Sequence, residues 1–176
     1  MNECRRSPIG PDELGELYRE VFAEPPYEHG EEHVRLFTDR FEKQSQRPRA
    51  GLVIARDSAG EMAGFAFGLP MPPSAPWWTE LTTDVDTSVT DEPPGRTFVL
   101  IELLVRRPWR GHGLAARLHD LLLEDRTEQR ATLTVRPDAE PAQHAYTTWG
   151  WRKVTQKRNP LPGSPIYDVL LKDLRS

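Results

Sequence analysis

The chain has 176 residues, 37% of them hydrophobic and 28% charged, a balance that suits one soluble globular domain with a real core. Its 23 basic and 27 acidic residues leave a formal charge of -4, which argues against a general nucleic-acid binder. A lone cysteine, Cys4, excludes an intramolecular disulfide, argues against cysteine catalysis and suits a reducing, cytoplasmic compartment. No stretch approaches the about 18 apolar residues of a membrane span, and "MNECRRSPIGPDE" lacks the apolar core of a signal peptide.

Taken in chain order, Leu14, Leu17, Tyr18, Val21 and Phe22 predict a helix over 12–23, opened by Pro11-Asp12. "EPPYEHG" breaks it. Val34, Phe37 and Phe41 predict a second helix over 31–44. "GLVIARD" (51–57) and "EMAGFAFGLP" (61–70) read as a hairpin about the turn "SAG". Residues 71–96 follow no period. They hold prolines at 72, 73, 76, 93 and 94, the pair Trp77-Trp78, and acids at 80, 84, 86, 91 and 92. A long loop with one short helix is expected there, and loops of that length are often functional.

"TFVLIELLV" (97–105) is an apolar strand buried on nearly both faces. Leu114, Ala115, Leu118, Leu121 and Leu122 share one face of a helix over 113–125. "ATLTV" (131–135) is the next strand. Asp138 is expected to cap a helix over 139–149, with Ala142, Ala145, Tyr146 and Trp149 inward and Gly150 as its stop. Strands near 151–156 and 166–173 close the chain. A meander of three strands followed by strand–helix–strand crossovers predicts an α/β fold with a mixed sheet and helices on both faces.

Between the strand ending at Val105 and the helix opening at Gly113 lies "RRPWRGHG". It can be read as a nucleic-acid patch, a phosphate-binding turn, or a plain strand-to-helix turn on a charged surface. Helix-start amides carry partial positive charge, and glycine lets a backbone approach a ligand closely, so the turn suits phosphate. Neither GxxxxGK[ST] nor GxGxxG occurs there. For each of Arg106, Arg107 and Arg110 a phosphate contact and a solvated surface charge stay open. His112 reads as a loop residue contributing its amide.

What does occur is Arg-x-x-Gly-x-Ala, at Arg110, Gly113 and Ala115. Further on stand Ala142, Tyr146, Gly150 and Trp151 in an Ala-x-x-x-Tyr…Gly-aromatic pattern. In this strand–turn–helix context the chain resembles the GCN5-related N-acetyltransferases (GNAT), over roughly 51–173 with the two N-terminal helices also fitting. The resemblance implies a single acetyltransferase domain over 1–176, whose mixed sheet of about six or seven strands is flanked by helices on both faces. It also implies acetyl-CoA as co-substrate. Backbone amides of Arg110, Gly111, His112, Gly113, Leu114 and Ala115 would cradle its pyrophosphate, and the backbone at Leu104 and Val105 would pair with its pantetheine arm as an added strand does. Two departures stand out. Ala139 replaces an asparagine found seven residues before the tyrosine in many members, and the usual first strand is hard to see before Pro11.

Acetyl transfer needs a neutral amine, a donor for the developing oxyanion and a proton for the departing thiolate. Alternation along 97–105 puts Glu102 on one face with Phe98, Leu100 and Leu104. A carboxylate in an apolar row must be paired, hydrated or used. The resemblance makes Glu102 a general base; the structural alternative is a glutamate paired with a nearby arginine. Tyr146 matches the family's tyrosine and would serve as the acid, since a tyrosine of pKa about 10 stays protonated at neutral pH. By spacing alone it is a core aromatic. Backbone amides of the 97–105 strand could polarise the acetyl carbonyl.

Tyr27, Trp77 and Trp78, with the loop carboxylates, are candidate acceptor-binding residues, since an aromatic and acidic wall suits a cationic amine. The alternative is an ordinary loop whose tryptophans cap the core. The histidines at 29, 33, 112, 119 and 144 form no metal set, so no metal is expected. The acceptor is expected to be a small-molecule or peptide amine, with no nucleic-acid or membrane partner. A strand edge near the C-terminus leaves room for a homodimer. A coenzyme-A-binding sensor with little catalysis is the second function considered, on the strength of Ala139.

Overall fold

The computed structural model describes residues 3–5, 10–158 and 164–175, and side chains from Gly10 onward. The elements are β1 (Glu3–Arg5), α1 (Pro11–Phe22), α2 (Glu31–Ser45), β2 (Gly51–Arg56), β3 (Met62–Pro70), α3 (Thr87–Thr90), β4 (Thr97–Val105), a 3-10 turn (Arg107–Trp109), α4 (Leu114–Leu123), β5 (Arg130–Val135), α5 (Glu140–Thr148), β6 (Arg152–Arg158) and β7 (Ile166–Asp173). The strand order is β1-β2-β3-β4-β5-β7-β6. This is the mixed, helix-flanked α/β sheet that the sequence predicts. The first strand exists after all: three residues long, it pairs antiparallel with β2.

The chain divides into two compact units, Met1–Leu69 with Leu100–Glu124 and Pro70–Val99 with Asp125–Ser176. The boundary falls inside β4.

In the first unit, β2 and β3 form the expected hairpin, with a register shift at Ala55/Arg56. β3 has bulky Phe65, Phe67 and Leu69 alternating with small Gly64, Ala66 and Gly68. The bulky set joins Leu14, Leu17, Tyr18, Val34, Phe37, Phe41, Ile54 and Leu104 in one core beneath α1 and α2. Truncating a side chain such as Phe65 to alanine costs about 3–5 kcal/mol. Against the small set comes α4. A Cβ on Gly64 would stand 2.6 Å from the Leu104 carbonyl oxygen and 3.2 Å from both Leu118 and Val105, so only glycine fits. Helices thus cover this part of the sheet on both faces. α4 buries Leu114, Leu118 and Leu122 as predicted, and also His119, at 2% exposure.

In the second unit, β5 pairs with β7 antiparallel over six residue pairs, and β7 with β6. Phe98, Val99, Leu133, Val135, Trp151, Val169 and Leu171 are buried. α5 begins one residue later than expected and is not capped by Asp138. Its N-cap is Ala139, which makes no side-chain hydrogen bond. The Asp138 carboxylate is instead held by the Arg136 guanidinium at 2.6 and 2.8 Å. A charge-assisted bidentate pair outcompetes a cap bond from one amide. The 71–96 segment is largely irregular and contains the four-residue α3, capped by Asp86.

Candidate functional site

β4 is nine residues long but pairs with β5 only through Thr97, Phe98 and Val99. Among the described residues, Leu100 to Val105 have no ladder partner in β5. Leu104 and Val105, the residues predicted to meet a pantetheine arm, lie at the end of that stretch, 5% and 8% exposed. Just beyond, the Arg106 amide donates to Ala63 of β3 at 2.9 Å, and the chain turns away through Arg107–Trp109.

The turn into α4 is built on two left-handed glycines, Gly111 (φ +78°) and Gly113 (φ +76°). A Cβ on either would meet nothing within 4 Å, so the open side of the turn is free. The first hydrogen bond of α4 runs from the Arg117 amide to the Gly113 carbonyl at 3.1 Å, and no side chain caps this end. The amides of Leu114, Ala115 and Ala116 therefore lack intrahelical partners. This is the geometry that suits an anionic oxygen. His112 is exposed within the turn.

Two of the loop's arginines are committed elsewhere. Arg110 donates from Nε to the Val105 carbonyl at 2.9 Å and from its terminal nitrogens to the Glu24 carboxylate at 2.7 and 3.3 Å. Arg106 lies 2.9 Å from Glu20. Glu20 and Glu24, one turn apart on and just beyond α1, neutralise the arginines while leaving the backbone amides open. The sequence reading missed both; their four-residue spacing was the available signal.

Glu102 is buried, as alternation predicts, at 8% exposure. Its Oε1 accepts one hydrogen bond, at 3.0 Å, from Nη2 of Arg40 on α2. Arg40 itself is half exposed. Burial pushes the Glu102 carboxyl up from 4.5 to about 7, against the lowering pull of Arg40. The carboxylate is therefore paired with an arginine, as the structural alternative expects, and its pKa stands near neutrality. Arg40 was also missed. It lies three residues after Phe37 and beside Phe41, at the margin of the stripe that α2 turns toward the sheet.

Tyr27 follows α1 in the same unit. Its ring meets Phe22 edge-on at 4.7 Å and is half buried. His29 and His33 stack at 4.2 Å, with Tyr18 Oη 3.1 Å from His29 Nδ1. Among the described residues, no three His, Cys, Asp or Glu side chains group as a metal site, and no helix is long and apolar enough to cross a membrane.

The remaining candidates belong to the second unit. Tyr146 is buried at 9% exposure between Trp149 and Trp151, both edge-on at 5.7 and 5.8 Å. Trp78 donates from Nε1 to Glu92 at 3.1 Å and carries the Arg130 guanidinium 5.4 Å from its ring. Lys157 lies 5.1 Å over the Trp77 ring and donates to the Trp77 carbonyl at 2.5 Å. Burial lowers the Lys157 ammonium below its usual pKa, with Glu80 opposing. Each tryptophan thus already faces a cation of the chain itself. Ala139, the departure from the family pattern, is buried at 3% exposure.

Comparison with solved structures returns the same fold at low identity. A GNAT-family structure from Desulfovibrio desulfuricans matches at TM-score 0.71 and 14% identity, over 99% of this chain and 100% of that one. The ribosomal-protein-S18-alanine N-acetyltransferase of Escherichia coli matches at 0.65 and 18%, over 100% and 96%. A NatC complex bound to a Gag peptide and CoA matches at 0.61 and 14%, over 98% and 99%. No curated protein sequence matches significantly. The model of the acetyltransferase (GNAT) family matches residues 14–151, a span that takes in most of α1, the end of β4, the glycine turn and Tyr146, and so the chain belongs to the GNAT acetyltransferases.

Proposed function

We propose that the protein is a single-domain cytoplasmic enzyme that moves an acetyl group from acetyl-CoA to a primary amine of a small molecule or peptide, by direct attack in a ternary complex. The observation that carries this is the pairing of an open β4 edge with an open, uncapped glycine turn at its end. The edge offers amides and carbonyls to an amide-bearing arm, and the turn offers amides to a pyrophosphate. That a structural neighbour holds CoA supports the same assignment.

Residues 110–115 would hold the phosphates and Leu104 and Val105 the pantetheine arm. Bound there, acetyl-CoA supplies an activated acetyl group and a thiolate leaving group. Glu102, ionised above about pH 7, takes a proton from the acceptor ammonium, directly or through a water. An ordinary glutamate would be the conjugate base well into the acid range but a weak one; the raised value brings its strength closer to the amine's. Tyr146 donates its Oη proton to the sulfur. Tyr27, Trp77 and Trp78 are the residues we propose for acceptor binding.

Calorimetric titration with acetyl-CoA, against desulfo-CoA and ATP, tests the first half. Binding is expected to require the whole coenzyme, and equal affinity for ATP would overturn the assignment. Initial rates of thiol release with an amine panel test the second half. Intersecting double-reciprocal plots are expected, and parallel ones would remove direct attack.

A further inference from the structure

Arg40 is more than the counter-ion of Glu102. The two side chains touch through a single nitrogen, and among the described residues Glu102 is the one hydrogen-bond partner of the Arg40 side chain. The guanidinium keeps further donors on its fork, and half of it is exposed while Glu102 is nearly closed off. A structural counter-ion normally spends its fork on its carboxylate, as Arg110 does on Glu24 and Arg136 on Asp138. Arg40 instead presents a cation with spare donors at the mouth of a carboxylate.

This decides what can approach. An ammonium group reaching Glu102 comes within a few ångströms of the Arg40 charge, and two cations there repel. The repulsion disappears if the acceptor carries an anionic oxygen next to its amine. The amine then faces Glu102 and the anion takes the free donors of Arg40, both as charge-assisted bonds. We infer that Arg40 is the specificity-determining residue for the acceptor, and that the acceptor is a zwitterion with a carboxylate close to its amine, such as an amino acid or an amino-acid-like metabolite, rather than a polyamine or other polycation. The inference rests on the acetyltransferase reading above and on Glu102 as its base.

The test uses the full chain with saturating acetyl-CoA and sets of matched acceptors: α-amino acids, their carboxamides and the corresponding decarboxylated amines. Thiol release gives kcat/KM for each. The acids are expected to exceed their amides by about tenfold to a hundredfold, the scale of one hydrogen bond to a charged group. In Arg40→Gln that ratio is expected to fall toward one, mainly through KM, and Arg40→Lys is expected to keep part of it. A change in the basicity of Glu102 alters acid and amide alike, so the ratio at fixed pH isolates recognition. Acids no better than amides, or a ratio preserved in Arg40→Gln, would overturn the Arg40 assignment while leaving acetyl transfer standing. Turnover of none of the three sets would overturn the zwitterionic acceptor, and failure to bind acetyl-CoA by calorimetry would overturn acetyl transfer with it.

Discussion

Two glutamates, each paired with an arginine, stand in different surroundings in this protein. Glu92, in the second unit, accepts from Arg130 at 2.5 Å, Thr97 at 2.7 Å and Trp78 at 3.1 Å, and both charged side chains are largely closed off, at 15% and 6% exposure. Arg130 is spent further on Thr97 and the Val89 carbonyl. Glu102, in the first unit, has one donor, and its arginine is half exposed. Three donors converging on one oxygen of Glu92 fix that pair in place. Glu102 has a single donor, and burial keeps its carboxyl near neutrality. Residue type does not separate the two pairs; the number of donors does.

The largest effect that sharpens this contrast is expected for Arg130→Ala. It strands Glu92 and is expected to cost about 3–5 kcal/mol of stability, read by urea unfolding, with unchanged acetyl transfer per folded molecule. Lost activity at full stability would erase the distinction between the pairs.

Glu102→Gln is expected to act the other way, lowering kcat by about a hundredfold or more without loss of stability. The deficit grows as pH rises through about 7, where wild-type Glu102 ionises, and the corresponding inflection vanishes from the mutant's pH–rate profile. Stability carries the same signature. Below the ordinary value of 4.5 the carboxyl is neutral whether the chain is folded or not. As pH rises from 4.5 to about 7 the unfolded chain ionises first, so wild type loses stability relative to Glu102→Gln, reaching on the order of 3 kcal/mol above pH 7. Parallel stability curves from pH 4 to pH 8 would mean that Glu102 is solvated.

Gly113→Ala is expected to have the smallest effect on folding, about 1–2 kcal/mol for a left-handed non-glycine residue, because its Cβ enters empty space. Coenzyme affinity is expected to fall at least tenfold. Unchanged affinity would move the phosphate site off the turn.

The long elements were legible because their periods are strong. The strand at Thr97–Val105 matches the apolar run residue for residue, and both N-terminal helices match within one or two positions. Glu102 was legible as an anomaly, one carboxylate inside an alternating apolar row. The three-residue β1 was not, since so short a segment carries no period. His119 was not, because a histidine on the buried face of a helix gives no apolar signal. The expected Asp138 cap failed for a local reason, a competing arginine two residues earlier.

By itself the sequence determined the order of the long elements, the glycine turn after the apolar strand and the family to which that arrangement points. These depend on spacing within about 20 residues, and local steric and solvation preferences write such spacing directly into the chain. Only the tertiary structure decided which charges meet. Arg40 lies 62 residues from Glu102 and Glu24 lies 86 from Arg110. No periodicity links such positions; they become partners when α1 and α2 are laid against the sheet, and that packing turns a buried glutamate into a candidate base with a cation at its mouth.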